Sequence, residues 1–150
     1  MIEIQKILIP TDFSEYSQHA VKCAVALAQS FKAKLYVVHV WEHSILAAPT
    51  ETFHAEIWVE AEKSEKESLN QVTQGLRTEG IDAEPVFVSG TAYIEIVKTA
   101  KELDVDLITL ATHGRTGLSH LVFGSTAEKI IRLAPCPVLV VKHPEHEFVK

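Results

Sequence analysis

The spacing of hydrophobic positions alternates along the chain between short, nearly continuous apolar runs and a helical period of about 3.6 residues. The apolar runs predict strands at Ile4–Ile9, Leu35–Val40, Asp82–Val88, Val105–Leu110 and Val138–Val141. The helical spacing predicts helices over Ser14–Phe31, from Phe53 to a terminating Gly80, over Thr91–Leu103, and from Ser125 to a stop at Pro135. Strands that alternate with helices in this way predict an α/β fold, in which helices cover both faces of a parallel sheet.

The third predicted strand contains Pro85, which has no N–H to donate to a neighbouring strand. We therefore expect this strand at a sheet edge, and that position favours the strand order 3-2-1-4-5. No linker, repeat or change of composition divides the sequence, so residues 1–150 are predicted to form one doubly wound domain. In such a sheet the ligand crevice lies beyond the carboxyl ends of the strands where their order reverses, which here is between the first and fourth strands.

The predicted helix ends carry their own signals. Ser14 is the predicted N-cap of the first helix, and Gly80 is the predicted residue just beyond the second. The last helix begins with Ser125-Thr126-Ala127-Glu128, which has the form of a capping box with Ser125 as the N-cap. The residues predicted to form its buried face are Ala127, Ile130, Ile131 and Ala134.

Composition and charge narrow the classes of partner. Fourteen Lys and Arg against twenty Asp and Glu give a net charge of −6, which disfavours nucleic acid and anionic membranes as partners. The first residues lack the basic head and apolar stretch of a signal peptide, and no apolar run is long enough to span a bilayer. Cys23 and Cys136 match neither a disulfide framework nor a metal motif. We therefore expect a cytoplasmic protein with reduced thiols.

Two polar loops are predicted to meet in the crevice. One is Pro10-Thr11-Asp12-Phe13-Ser14; the other is Ala111-Thr112-His113-Gly114-Arg115-Thr116-Gly117, which leads to Gly124-Ser125-Thr126. Glycines and hydroxyl groups before a helix suit a phosphate, because backbone N–H groups and the helix dipole attract an anion there. Asp12 is suited to accept hydrogen bonds from ribose hydroxyls. The loops match neither a Walker A loop nor a dinucleotide fingerprint, and in the alternative interpretation the glycines only shape a loop and Ser125 is only a helix cap.

The eight histidines raise the question of metal or acid–base chemistry. His39 and His43 are not expected to share a helical face, because His39 ends a strand, and no cysteine or carboxylate cluster completes a zinc site. His113 lies in the predicted phosphate loop, where it either acts as an acid or base or orders the loop by hydrogen bonding; we favour the second. No hydroxyl–histidine–carboxylate trio can be placed, so neither metal ligands nor catalytic residues are predicted.

The chain resembles the universal stress protein family at segments spread along its length. These segments are Lys6–Ser14, Leu35–Val40, Asp106–Ser125 and Cys136–Val141, in one collinear order. The resemblance implies a doubly wound α/β fold and, in one branch of the family, ATP binding through the pattern G-x2-G-x9-G-[ST]. This chain has Ala111-x2-Gly114-x9-Gly124-Ser125, with alanine in place of the first glycine. The remaining matches place it with the ATP-binding branch.

Carried over residue by residue, the resemblance implies which positions form a nucleotide site. Val40 and Pro10-Thr11-Asp12 would contact adenine and ribose. The residues that would surround the ribose and phosphates are Ala111, Thr112, His113, Gly114, Arg115, Thr116, Gly124, Ser125 and Thr126. A Mg²⁺ ion can accompany ATP there, because the phosphates themselves supply oxygen ligands.

The resemblance also implies an assembly and a role. It implies a homodimer in which the edge strand Val138–Val141 pairs with its copy, and such pairing suits an apolar edge. The expected function is that of an ATP-binding, nucleotide-dependent regulator or sensor in the stress response. Two rivals stay open: a family member that acts by binding partners without a nucleotide, and a slow ATP hydrolase with His113 or Asp12 as the base.

Overall fold

The computed structural model describes residues 1–42, 52–113 and 123–142, with only the backbone of residues 52–54, and its strands and helices alternate as the hydrophobic pattern predicts. The strands are β1 (Lys6–Pro10), β2 (Lys34–Trp41), β3 (Ala83–Ser89), β4 (Leu107–Ala111) and β5 (Val138–Val141). The helices are α1 (Glu15–Phe31), α2 (Thr52–Thr78), α3 (Ala92–Leu103) and α4 (Ser125–Leu133). Among the described residues, none of these helices has the length and apolar character needed to cross a membrane.

The five strands found within the described residues form one parallel sheet in the order β3-β2-β1-β4-β5, which confirms the predicted fold class and strand order. Pro85 lies on the edge strand β3, opposite Val37 of β2. An edge strand accommodates proline because one of its sides needs no ladder hydrogen bonds. The order reverses between β1 and β4, where Ile7 pairs with Leu107 and Leu8 pairs with Ile108.

Alternate side chains of the strands enter two separate hydrophobic cores, because successive residues of a strand point to opposite faces of the sheet. Helices α1 and α2 cover the face that carries Ile7, Ile9 and Val37. Helices α3 and α4 cover the face that carries Leu8 and Val38. The sheet is therefore buried on both sides, which leaves its edges and its ends for contacts with a ligand.

Two helix ends agree with the sequence prediction. Ser14 is the N-cap of α1, and its side chain accepts a hydrogen bond from the N–H of Ser17. Gly80 follows the end of α2 with φ +84°, a left-handed conformation that glycine adopts without strain. The N–H of Gly80 donates to the carbonyl of Arg77, and the N–H of Ile81 donates to that of Leu76. These bonds satisfy carbonyls in the last turn of α2.

The predicted capping box at the start of α4 is wrong by one residue. The N-cap is Gly124, with extended backbone angles, and its carbonyl accepts the first intrahelical hydrogen bond from Glu128. Ser125 is therefore the first helical residue, so its side chain does not cap the helix. The buried face also differs from the prediction: Ala127 and Ile130 are buried, whereas Ile131 is 39% exposed. Ile131 lies at the exposed border of the face that Ala127 and Ile130 bury, while Ala134 is partly buried against the same core.

The two cysteines are free thiols that serve packing. Cys23 is buried in α1, and Cys136 is half-buried before β5. Burial raises the pKa of both thiols above their usual value. A raised pKa lowers the fraction of reactive thiolate, as expected for structural cysteines.

Candidate functional site

A cavity of about 410 Å³ lies at the carboxyl end of the sheet, where the strand order reverses between β1 and β4. Its lining comes from the ends of β1, β2 and β4 and from the first turns of α3 and α4, with single residues from α1 and α2. This is the position expected for the ligand crevice of a doubly wound sheet. Its volume falls within the range of about 300–1,000 Å³ that is usual for small-molecule sites.

The first wall of the cavity is the turn between β1 and α1. Phe13 has φ 64°, a left-handed conformation that is uncommon for a large side chain. The N–H of Phe13 donates to Thr11 Oγ1 over 3.1 Å, and the N–H of Ser14 donates to Asp12 Oδ1 over 3.0 Å. Thr11 Oγ1 also lies 3.2 Å from Ser17 Oγ. Local hydrogen bonds thus hold the backbone of this wall in one conformation.

The second wall follows β4. The N–H of Thr112 donates to the carbonyl of Val141, and the carbonyl of Thr112 accepts from the N–H of Gly124 over 2.8 Å. Thr112 Oγ1 lies 3.0 Å from His113 Nδ1. The His113 ring also packs against the ring of Tyr16, with 5.5 Å between centroids. These contacts agree with the loop-ordering role that the sequence analysis favours for His113.

Helix α4 presents its N-terminus to the cavity without a side-chain cap. Its N-cap, Gly124, lines the cavity together with Ser125 and Thr126, and no side-chain hydrogen bond caps the helix within the described part of the chain. Gly124 has φ −67° and ψ 156°, which any residue can adopt, and an added Cβ would lie 3.5 Å from the Thr112 carbonyl oxygen. Glycine is therefore not needed for the fold here. Its missing side chain leaves the first-turn N–H groups accessible from the cavity.

The start of α3 also lies at the cavity, but a carboxylate already occupies it. Glu42 Oε1 accepts a hydrogen bond of 2.7 Å from the N–H of Ala92, while the side chain of the N-cap Thr91 makes no cap bond among the described residues. Both Glu42 and Ala92 line the cavity. The Glu42 carboxylate thus interacts favourably with the positive end of the α3 dipole. Its negative charge makes this helix start a poor site for an added anion.

The rest of the lining is largely apolar. It includes side chains that belong to the core between the sheet and the helices α3 and α4: Val38, Val40, Ile96, Leu110, Ala127 and Ile130. An apolar surface of this kind suits a planar aromatic group, which would bury its faces there. The cavity therefore combines an apolar surface with one accessible helix N-terminus.

His39 is buried at the back of the cavity and has a different environment from the one considered in the sequence analysis. Its Nδ1 lies 2.7 Å from the carbonyl oxygen of Thr11, and its Nε2 is hydrogen-bonded to Glu65 Oε2. His43 lies outside the described residues, as does the side chain of His54. Within the described ranges, no group of three His, Cys, Asp or Glu side chains could hold a metal ion.

Most of the predicted site residues meet at this cavity. Those that line it are Pro10, Thr11, Asp12, Val40, Ala111, Thr112, His113, Gly124, Ser125 and Thr126. Gly114, Arg115 and Thr116 lie outside the described residues. Ala111, which replaces the first glycine of the motif, lines the cavity and also packs against the core under α1. Whether these residues bind a nucleotide stays a prediction.

Glu42 and Glu65 line the cavity although neither is predicted from the sequence. Glu42 lies just beyond β2, where its acidic side chain could have been considered as a helix cap, but its partner Ala92 is 50 residues away. Glu65 lies on α2, in a stretch of alternating acids and lysines that is typical of a solvated helix face. No local signal connects it with His39. Only the tertiary structure brings these residues to the cavity.

Comparison with known proteins identifies the family. The model of the universal stress protein family matches residues 3–142. The chain belongs to this family. The universal stress protein MJ0531 of Methanocaldococcus jannaschii is 37% identical to it, over 95% of this chain and 85% of the relative.

Solved structures of family members share the fold. The structure of MJ0577, also from Methanocaldococcus jannaschii, aligns with a TM-score of 0.83 at 30% identity, over 97% of this chain and 100% of that one. A universal stress protein from Archaeoglobus fulgidus, solved in complex with dAMP, aligns with a TM-score of 0.64 at 25% identity. That alignment covers 95% of this chain and 100% of the other.

Proposed function

We propose that this family member binds ATP in the cavity between β1 and β4 and acts as a nucleotide-dependent regulator or sensor in the stress response. The observation that carries the proposal is the start of α4, a helix N-terminus that has no side-chain cap among the described residues and lines a cavity of suitable size. A relative from Archaeoglobus fulgidus forms a complex with dAMP, which supports an adenine nucleotide as the ligand. Membership in the universal stress protein family supports the proposed role as a sensor.

The polar and apolar parts of the lining suit different parts of a nucleotide. The backbone N–H groups of Ser125 and Thr126 suit the phosphates, because they add hydrogen bonds to the positive end of the α4 dipole. The Asp12 carboxylate suits the ribose hydroxyls, which donate to acidic residues in other nucleotide-binding folds. The apolar surface around Val40 suits adenine. Gly114–Thr116 are assigned to the phosphates from the sequence motif alone.

Magnesium suits the electrostatics of this cavity. The side chains of Asp12 and Glu42 contribute to the lining, and the chain carries a net charge of −6. Free ATP would meet repulsion from these carboxylates, whereas a Mg²⁺ ion bound to the phosphates reduces the negative charge of the ligand. We therefore expect tighter binding of ATP in the presence of Mg²⁺ than in the presence of a chelator.

A calorimetric titration with Mg-ATP tests the proposal. The wild-type protein is expected to bind, and Gly124→Val is expected to bind much more weakly, because a branched side chain would cover the start of α4. Gly75→Val is the matched control, since Gly75 lies in α2 with nothing within 4 Å of an added Cβ. Native mass spectrometry of freshly purified protein identifies any nucleotide that it already carries. Circular dichroism checks that both variants fold.

The outcomes separate the proposal from its rivals. If the wild-type protein binds no adenine nucleotide, the proposal fails and the partner-binding rival is favoured. If it binds ATP and Gly124→Val binds equally well, the start of α4 is not the phosphate site. Chromatographic detection of ADP during incubation with ATP would instead favour the slow hydrolase, with loss of turnover in Asp12→Asn or His113→Ala indicating the base.

We further expect a homodimer formed through β5. This strand lies at the edge of the sheet, and each of its residues, Val138–Val141, is only partly buried in the single chain. An apolar edge strand with unpaired backbone groups favours pairing with another strand. Sedimentation velocity at micromolar concentration should detect a dimer that Val140→Lys weakens. A wild-type protein that sediments only as a monomer would contradict this expectation.

A further inference from the structure

His39 occupies a buried position that the proposed nucleotide contacts leave unexplained. It is 3% exposed and lies on the face of β2 that α1 and α2 cover. Its ring packs between the ring of Phe13, at 4.6 Å between centroids, and the ring of Phe87, at 5.7 Å. A buried imidazole between aromatic rings requires hydrogen-bond partners for both nitrogens. The structure supplies both partners.

The first partner determines where one ring proton lies. Nδ1 of His39 is 2.7 Å from the carbonyl oxygen of Thr11. A carbonyl oxygen only accepts hydrogen bonds, so Nδ1 must carry a proton and donate it. Thr11 is part of the first wall of the cavity, and its own N–H donates to the carbonyl of Val38 over 2.9 Å. The main chain of Thr11 is thus held to β2 at both its N–H and its carbonyl.

The second hydrogen-bond partner of His39 shows that the pair holds one further proton. Nε2 of His39 faces Glu65 Oε2, from α2. A neutral ring that is protonated on Nδ1 has a lone pair on Nε2, and a carboxylate oxygen also carries lone pairs. Two acceptors do not form a hydrogen bond, so one more proton is shared between this nitrogen and the carboxyl group. The pair is therefore neutral overall, either as imidazolium with carboxylate or as imidazole with carboxylic acid, which suits a buried site.

We propose that His39 is a positioning residue: held by Glu65, it fixes the carbonyl of Thr11 and with it the first wall of the cavity. Through His39 of β2, the two hydrogen bonds join Glu65 of α2 to Thr11 of the first wall, so the helix and the wall are held in one arrangement. Because Phe13 in this wall has a left-handed backbone, the bond from His39 to Thr11 adds to the local hydrogen bonds that hold the turn. The assignment of the wall to a nucleotide rests on the proposed function, whereas the hydrogen bond itself does not.

A plainly structural alternative is that His39 only fastens α2 to the sheet. In that case the bond to Glu65 matters and the bond to Thr11 does not. Two substitutions separate the two bonds. The amide nitrogen of asparagine can take the place of Nδ1, so His39→Asn keeps a donor for Thr11 and loses Glu65. The longer side chain of glutamine places its amide near Nε2, so His39→Gln keeps a partner for Glu65 and loses Thr11.

The first measurement uses the nucleotide-free protein. We expect His39→Gln to speed hydrogen exchange at the backbone amides of Thr11–Ser14 by about tenfold, the size of one net hydrogen bond, and His39→Asn to leave it nearly unchanged. The exchange rate at the amides of β4 reports global unfolding. We compare only the part of the exchange rate at Thr11–Ser14 that exceeds the rate at β4. Nitrogen-15 spectra of labelled histidine should show a proton on Nδ1 of His39 in both the wild-type protein and Glu65→Gln.

The second measurement is the affinity for Mg-ATP. We expect His39→Gln to weaken binding about tenfold and His39→Asn to weaken it less than about threefold, because only the first releases the wall. Equal effects of the two variants on exchange at Thr11–Ser14, or a ring protonated on Nε2 alone, would overturn the positioning role. If the wild-type protein binds no ATP, the proposed function fails, while the exchange and nitrogen-15 results still decide whether His39 holds the wall.

Discussion

Helices α1 and α4 both begin at the carboxyl end of the sheet, beside the same cavity, but they begin in opposite ways. At α1, Ser14 accepts a hydrogen bond from a first-turn N–H, and Ser17 Oγ in turn donates to the Ser14 carbonyl over 2.8 Å. At α4, the N-cap is Gly124, and no side-chain cap bond is made within the described residues. At α1 a side chain of the protein accepts a hydrogen bond from a first-turn N–H. At α4 the first-turn N–H groups are accessible to an acceptor from a ligand. The comparison predicts that the start of α1 serves stability and that the start of α4 serves a ligand.

Giving α4 a charged cap should have the largest effect. Gly124→Asp adds a side chain that can accept from the first-turn N–H groups and places a negative charge where the phosphates are proposed to lie. We expect Mg-ATP affinity to fall by about 100-fold or more, because like charges a few ångströms apart near a surface repel by several kcal/mol. The free energy of unfolding should rise by about a few tenths of a kcal/mol, since aspartate is a better N-cap than glycine.

Calorimetry and urea unfolding measure the two effects on the same samples. Gly75→Asp makes the same change on the exposed surface of α2 and should leave affinity unchanged. Loss of affinity in Gly124→Asp together with a gain in stability would be hard to explain by misfolding. Unchanged affinity in this variant would instead show that the two helix starts do not differ in function.

Removing the cap of α1 should have the opposite effects, a loss of stability with little change in the affinity for Mg-ATP. Ser14→Ala is expected to lower the free energy of unfolding by about 1 kcal/mol, because a first-turn N–H loses its acceptor. Affinity for Mg-ATP should change by less than about twofold, provided that the first wall keeps its other hydrogen bonds. Ser30→Ala, at an exposed serine near the other end of α1, is the control and should change stability by less than about 0.5 kcal/mol. A tenfold loss of affinity in Ser14→Ala would mean that the α1 start also serves the ligand.

The smallest effect is expected at α3, whose start is capped by a carboxylate. In Glu42→Gln the amide oxygen can still accept from the N–H of Ala92, but one negative charge leaves the cavity lining. We expect Mg-ATP affinity to rise by about twofold at low salt, and by less at high salt because ions screen exposed charges. Titrations at two salt concentrations measure this difference. Glu79→Gln, beyond the end of α2, should show no increase.

The fold followed closely from local features of the sequence. Apolar runs and helical spacing report which segments are strands and which are helices, because burial against a sheet demands those periods. Pro85 reports an edge strand because it lacks an N–H, and the structure places β3 at the edge. The prediction of the α4 N-cap failed because two neighbouring residues can both occupy that position. Both Gly124 and Ser125 can occupy an N-cap, and the hydrogen bond from Gly124 to the second wall decides between them.

The candidate site was only partly predictable for a different reason. The segments around Asp12 and Gly124 are recognisable because each is short and continuous, and the topology rule brings the ends of β1 and β4 together. Glu65 carries no comparable signal, since it is one acid among several on a charged helix and lies 26 residues from His39. Its role depends on which turn of α2 crosses the end of β2. The position of that turn depends on how α2 packs across the whole face of the sheet that α1 and α2 cover.

The sequence by itself determined the alternation of elements, the edge position of β3 and the segments that line the crevice, because each depends on residues close together in the chain. The tertiary structure alone decided that Gly124 is the N-cap of α4, with no side-chain cap among the described residues, that Glu42 caps α3 and that His39 joins α2 to Thr11. Each of these contacts links residues that are distant in sequence or equivalent in local preference. Their partners are selected by the packing of helices on the sheet, and no short stretch of sequence contains that information.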